Sequence, residues 1–265
     1  LLFVLGLHWG IAGAAWATVI AQYISAAGLS LYVLAKCKEW LPKRADFRYN
    51  RGVMREILSL SWLTCAQQSV MNFGILMVQG LVNSFGETVM AAFAAAVKID
   101  TFAYLPVQDF GNAYSTFVAQ NFGAGDIRRC KRIFRLCLLF GIVFTEILSA
   151  VFMVWDDFFV SIYTSSSAVA VFAVSRMRHV CSLEGLTATY EVESASLRGM
   201  GRSLEPAVFT ILGTVVFRLI WMATVFRLFP TYEMLMNVYP ASWIFTGAAL
   251  LIVYVRQMRR TARSM

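Results

Sequence analysis

The residues most able to do chemistry in this chain are polar side chains set inside apolar runs. Ser61, Gln68, Asn72, Gln79 and Asn83 recur at helical spacing, so one helix would carry them on a single face. Carboxamides cannot face lipid cheaply, and they must either line a water-filled pathway or hydrogen-bond a neighbouring helix. Downstream, Asp100, Tyr104, Gln108, Gly111 and Ser115 follow helical spacing, with Lys98, Asp109 and Asn112 on another face. Lys98 is expected to pair with Asp100 or Asp109. Pro106 interrupts that run, frees one backbone carbonyl and makes a hinge available. Further on, Glu184 and Glu191 stand seven residues apart, on one helical face with Thr187 between them, while Glu193 points the other way. Two inward carboxylates suit exchange of a proton or a cation, because protonation and cation binding compete for the same oxygens. The intramembrane charge read this way is mostly acidic.

Other chemistries find little support. The two histidines, His8 and His179, cannot form a metal cluster, and the five cysteines lack paired ligand spacing. No phosphate-binding loop, nucleophile elbow or zinc-protease motif is present, so neither an enzyme nor a metal or organic cofactor is expected. Gly123-Ala-Gly125 and Arg198-Gly-Met-Gly201 each close a long apolar run and read as helix C-caps.

The elements that must carry these side chains are membrane helices. Apolar residues make up 59% of the 265 and charged residues 14%, and the mean hydropathy is +0.65. A soluble domain carries about 25% charged residues, and lipid is the solvent that explains the deficit. Seven apolar segments approach the ~20 residues a bilayer crossing needs, at 10–35, 56–82, 88–121, 136–155, 168–197, 205–228 and 234–255. The fold expected is therefore all-α, a polytopic transmembrane helix bundle. Leu1 to Trp9 reads as the tail of an earlier helix, not a signal peptide.

Charge sets the orientation. Eighteen of the 23 Lys and Arg residues cluster in alternate connections, at Lys36–Arg55, Arg128–Arg135, Arg198–Arg202 and Arg256–Arg263. The intervening turns, Asn83–Glu87, Asp156–Ser166 and Phe229–Glu233, hold none. The positive-inside rule then puts the basic connections and the C-terminus in the cytoplasm. Beside membrane spans, the net charge of +8 points to anionic lipid contact, not to nucleic acid.

Three stretches carry a family resemblance. Ala95-Ala-Val-Lys-Ile-Asp-Thr-Phe-Ala-Tyr-Leu-Pro-Val-Gln-Asp-Phe-Gly111, continuing to Ala119-Gln-Asn-Phe-Gly-Ala-Gly125, resembles the eighth helix of multidrug and toxic compound extrusion (MATE) transporters. Ser196-Leu-Arg-Gly-Met-Gly201 is similar to the turn after the tenth helix, and Gly10-Ile-Ala-Gly-Ala-Ala-Trp-Ala-Thr18 to the start of the sixth. The resemblance implies two six-helix lobes that export drugs and organic cations by Na⁺ or H⁺ antiport. This chain would then hold the last helix of the first lobe (1–36), a cytoplasmic basic linker (37–55), the second lobe (56–255) and a cytoplasmic tail (256–265), at the plasma membrane. The missing N-terminal lobe and membrane lipids would be its partners.

Two positions depart from the family pattern. Gln67 and Gln68 stand where branches of the family carry an acid in the seventh helix, and counting back from Ser196 puts the tenth-helix acid at Thr187. Physical reasoning therefore offers Glu184, Glu191, Asp100 and Asp109 as coupling candidates. Gln68, Asn72, Gln79, Tyr104, Gln108 and Thr187 are the pathway candidates. Two other readings remain beside antiport: a lipid-linked oligosaccharide flippase or polysaccharide exporter, and a non-transporting membrane remnant. A flippase should show a more cationic central cavity.

Overall fold

The computed structural model describes residues 2–41 and 49–264, and among these it holds helices and turns and no strand. The chain divides into two units, Leu1–Glu56 and Ile57–Met265. In the first, a π-helical turn at Leu2–Gly6 precedes α1 (Gly10–Lys36). Only Gly13 is buried along α1, so the helix offers apolar side chains such as Ile11, Tyr23 and Leu29 on every side. A helix apolar all round suits lipid or a surrounding bundle.

The expected basic linker, 37–55, lies partly outside the described residues, at 42–48. Its ends are a single 3₁₀ turn at Lys38–Trp40 and the first residues of α2 (Arg51–Asn83), so Arg51 to Arg55 are helical.

The second unit is a bundle. In lipid every backbone N–H and C=O must be satisfied within the segment, so spans form as helices. After α2 come α3 (Glu87–Gly123), α4 (Ile127–Val154), a short α5 (Asp156–Ser161), α6 (Ser167–Val180) and α7 (Leu186–Gly199). Next are α8 (Leu204–Thr210), a π-helical segment at Ile211–Val216, α9 (Phe217–Ala223) and α10 (Val225–Leu228). The order closes with α11 (Tyr232–Met236) and α12 (Val238–Ser264). The segment expected to be a cytoplasmic tail, 256–265, continues α12 as helix through Ser264.

Five stretches among the described residues are long and apolar enough to cross a membrane: Gly10–Lys36, Glu87–Gly123, Ile127–Val154, Leu204–Leu228 and Tyr232–Thr261. The two other segments of the seven expected are present as helix but fall outside that group. For α2 the reason is its own polar stripe, which dilutes an otherwise sufficient 33 residues. For 168–197 the reason is a break, since α6 ends at Val180 and a 3₁₀ turn at Cys181–Leu183 separates it from α7.

Helix α7 sits at the middle, packed against α3, α12 and α4, and α3 also packs on α4 and α6. Its run of Thr, Ala and Ser explains the position, because small side chains let neighbouring helices approach closely. Gly213 and Gly247 allow the tightest approaches: a Cβ on Gly213 would collide with the Thr246 side chain, and one on Gly247 would stand 2.5 Å from Thr189 Oγ1. Aromatic rings close both ends of the bundle. Phe134 stacks on Tyr254 at 4.0 Å beside the basic connections, and Tyr232 meets Phe85 and Phe172 edge-on at the other end. The glycine C-caps read in the sequence are present, with Gly125 at φ +77° after α3 and Gly201 at φ +76° after α7. Asp126 caps α4 by accepting a hydrogen bond from the Arg129 N–H at 2.9 Å. Pro106 lies inside α3 without ending it.

Candidate functional site

Two cavities meet along the α3–α7 seam. The first, about 520 Å³, is lined by Gln68, Asn72 and Gln79 of α2 and by Lys98, Asp100, Tyr104 and Gln108 of α3. Arg176, Glu184, Thr187, Tyr190, Arg218, Tyr239 and Trp243 also line it. We call it the arginine cavity. The second, about 360 Å³, takes Gln67 and Gln68, then Tyr104, Gln108 and Asn112, then Tyr190, Glu191, Ser194 and Arg198. We call it the glutamate cavity. Gln68, Met71, Tyr104, Gln108 and Tyr190 border both, and they form the partition. Across that partition the Tyr104 hydroxyl donates to Glu191 Oε1 at 2.7 Å.

The arginine cavity holds charge of both signs, and only part of it is paired. Arg176 of α6 forms a buried ion pair with Asp100 of α3, which also accepts a hydrogen bond from the Cys181 thiol at 3.1 Å. The Arg176 guanidinium lies 4.8 Å from the Phe93 ring centre and 5.5 Å from that of Tyr239. Arg218 of α9 stands 4.5 Å from the same Tyr239 ring, and its Nε donates to Ser242 Oγ at 3.1 Å. Glu184 is 3% exposed and its Oε2 has no hydrogen-bond partner. Thr187 donates its hydroxyl to the Glu184 carbonyl at 2.6 Å, which ties the break between α6 and α7 to the start of α7. A carboxylate buried at such depth costs at least ~2.5 kcal/mol unless something compensates it.

Residues 64–252 match the MatE family, some seven-tenths of the sequence. The chain belongs to that family. Among curated MatE relatives, the probable multidrug resistance protein NorM of Thermotoga maritima is 20% identical over 79% of this chain and 45% of its own length. Human multidrug and toxin extrusion protein 1 is 27% identical over 81% of this chain and 38% of its own. The chain thus spans less than half the length of these relatives. Among solved MATE structures, a mutant of the Vibrio cholerae transporter VcmN superposes with a TM-score of 0.82, at 19% identity, over 98% of this chain and 58% of that one. A Pyrococcus furiosus transporter, described as having reverse polarity of its binding pocket, gives 0.78 at 18% identity over 98% and 58%. These similarities fix the fold, a MATE helix bundle, and the family's members are transporters, not enzymes.

Within this MatE bundle the sequence-derived residues separate into groups. Gln68, Asn72, Gln79, Tyr104, Gln108 and Thr187 all reach the arginine cavity, and Gln68, Tyr104 and Gln108 reach both. Glu184 and Glu191 do not share one uninterrupted helix: the 3₁₀ turn lies just before Glu184, which faces the arginine cavity, while Glu191 faces the glutamate cavity. Asp109 is exposed and lines neither. Among the described residues Lys98, on the wall of the arginine cavity, forms no ion pair, because Asp100 pairs with Arg176. Glu193 is 2% exposed on the far side of α7 with Oε2 unpartnered, and the nearby Arg198 bonds to Ser194 Oγ at 3.1 Å.

Sequence reasoning missed Arg176 and Arg218. Each stands inside an apolar run, Ala173-Val-Ser-Arg176-Met and Val215-Val-Phe-Arg218-Leu-Ile-Trp, and that isolation was the available signal. With both in place, the intramembrane charge is mixed and not mostly acidic.

Proposed function

We propose that this chain is part of a secondary active multidrug efflux transporter, in which the arginine cavity receives drugs or organic cations and Na⁺ or H⁺ antiport drives their export. The observation that carries the reading is Glu184, a buried carboxylate with a free oxygen on a membrane-depth cavity in a MatE bundle. Such a group holds either a proton or a cation, and exchanging one for the other couples export to an ion gradient. Glu191 takes a supporting part at the partition, where Tyr104 already satisfies one of its oxygens. Asp100, fixed to Arg176, is assigned to structure. Pro106 is the proposed hinge of α3. The protein sits in the plasma membrane with the basic connections and the end of α12 facing the cytoplasm. A further lobe completes the pathway, since transporters of this kind bind at the interface between repeats and rock one against the other.

The test is Glu184→Gln in the full-length protein, with drug efflux from proteoliposomes measured under imposed Na⁺ and pH gradients. The expected result is loss of gradient-driven export with drug binding retained. Export at the wild-type rate with the same gradient dependence would reject Glu184 as the coupling group, and no export by the wild type under any gradient would favour the non-transporting remnant. Topology has a separate check: a single cysteine at Ser165 should react with an impermeant reagent from outside, and one at Ser264 from inside only.

One observation supports a second reading. With Arg176 neutralised by Asp100, Lys98 and Arg218 against Glu184 alone make the arginine cavity more cationic than a site for organic cations needs. A flippase for a lipid-linked oligosaccharide, or a polysaccharide exporter, suits such a wall. ATP-independent movement of a polyprenyl-phosphate sugar in place of drugs would decide for it.

A further inference from the structure

The pairing within the arginine cavity is uneven. Among the described residues there are three ion pairs: Arg176 with Asp100, Arg178 with Asp156, and Arg202 with Glu205. Arg218, 8% exposed and lining the cavity, is in none of them. An arginine cannot shed its proton, so a buried one without a carboxylate is a standing charge in need of a counter-ion. Its stem and one edge are nevertheless firmly held. The Nε–H donates to Ser242 Oγ at 3.1 Å, the Ser242 hydroxyl donates in turn to the Tyr239 carbonyl at 2.7 Å, and the guanidinium rests on the Tyr239 ring. This leaves the two terminal nitrogens as an oriented fork with no carboxylate on it.

The backbone gives a second, independent sign. The π-helical segment Ile211–Val216 ends just before Phe217 and Arg218. Such widened turns are rare and cluster at functional sites, because they re-aim the side chains that follow. Here Thr214, Val215 and Arg218 all line the cavity. The remaining charge agrees in sign: Asp100 and Arg176 neutralise each other, leaving Lys98 and Arg218 against Glu184.

We propose that Arg218 anchors an oxyanion, a carboxylate or a phosphate ester, on the molecule that occupies the arginine cavity. The planar fork can donate to two oxygens of such a group side by side, and Trp243 lines the same cavity for an aromatic or prenyl body. Ser242 and Tyr239 position the fork. Glu184 remains free on the same cavity for the coupling ion or for a basic group on the same ligand. This inference rests on the cavity being the substrate compartment.

The test uses full-length protein in nanodiscs and two rhodamine dyes that differ only in carrying a free carboxylate or its ethyl ester, with binding read by fluorescence anisotropy. The wild type should bind the acid about tenfold more tightly than the ester, the advantage expected of one bidentate charged contact. Arg218→Gln should remove that preference, the acid losing about tenfold more affinity than the ester. Arg218→Lys, which keeps the charge without the fork, should keep only part of the preference. If the glutamine variant does not fold, Arg218→Lys and Ser242→Ala carry the test, each with a selective loss for the acid. Competition separates the two oxyanions: displacement by a polyprenyl phosphate but not its alcohol assigns a phosphate, and displacement only by aryl carboxylates assigns a carboxylate. Equal affinity for acid and ester in the wild type, or equal losses in the variants, overturns the role of Arg218 while leaving the compartment in place. Binding of neither dye nor either competitor overturns the compartment and this inference with it.

Discussion

The two cavities treat buried charge in opposite ways. In the glutamate cavity, Glu191 receives the Tyr104 hydroxyl and Arg198 is bonded to Ser194, so each ionisable group has a polar partner on a neighbouring or the same helix. In the arginine cavity Asp100 and Arg176 form an ion pair and Arg218 reaches Ser242 through its Nε alone, whereas a Glu184 oxygen has no partner and Lys98 is exposed. Burial without compensation is costly, so the matched groups read as architecture and the unmatched ones as places kept for something that comes and goes. The lesson is that depth in the membrane does not by itself mark a functional residue. A missing partner on a cavity wall does.

That contrast is easiest to break at the matched pair. Arg176→Leu leaves Asp100 as an uncompensated buried charge, at a cost of about 3–5 kcal/mol, and should sharply lower the thermal unfolding midpoint and folded yield in detergent. Restoring most of the yield with Asp100→Asn in the Arg176→Leu background would confirm that pairing, and not ligand binding, is the role of both. A small effect of Arg176→Leu would mean that Asp100 is not held by this arginine.

A more modest effect is expected at the partition. Tyr104→Phe removes one interhelical hydrogen bond, worth about 0.6–1.7 kcal/mol in membrane bundles. Unfolding should shift only slightly, while leak of bound dye between the compartments should rise, seen as faster dissociation. Unchanged dissociation would mean that the Tyr104–Glu191 contact does not separate the cavities.

The smallest effect distinguishes two carboxamides on one helix. Gln68 borders both cavities and Gln79 only the arginine cavity. Gln68→Leu should therefore weaken both acid and ester dyes by up to about tenfold, the range of one lost hydrogen bond. Gln79→Leu should alter affinity without changing dissociation kinetics across the partition. Identical profiles would merge the two cavities into one functional space.

Much of this site was legible in the sequence because helical geometry is local. The spacing from Gln68 to Gln79 on α2 and from Tyr104 to Gln108 on α3 places those side chains on one face whatever the helices pack against, and all of them reach a cavity. The caps at Gly125 and Gly201 are equally local, since a positive φ is cheap only for glycine. Glu184 and Glu191 mark the limit. Their shared face assumes an unbroken helix, and nothing in Val180-Cys-Ser-Leu-Glu-Gly185 announces the 3₁₀ turn by propensity alone. That turn is stabilised from outside: Glu146 of α4 accepts the Gly185 N–H at 2.9 Å, and the close approach of its side chain leaves no room for a Cβ at Gly185.

The sequence by itself determined that the chain is a membrane helix bundle, which ends of its helices carry the basic charge, and which faces of α2 and α3 are polar. Each follows from composition and periodicity within single segments. Only the tertiary structure decided which charges meet. Asp100 and Arg176 lie 76 residues apart, and Tyr104 and Glu191 lie 87 apart. Periodicity relates residues within one helix and is blind to the rotation of one helix against another. The packing of α3, α6, α7 and α9 around the two cavities sets that rotation, and with it which ions are satisfied and which wait for a ligand.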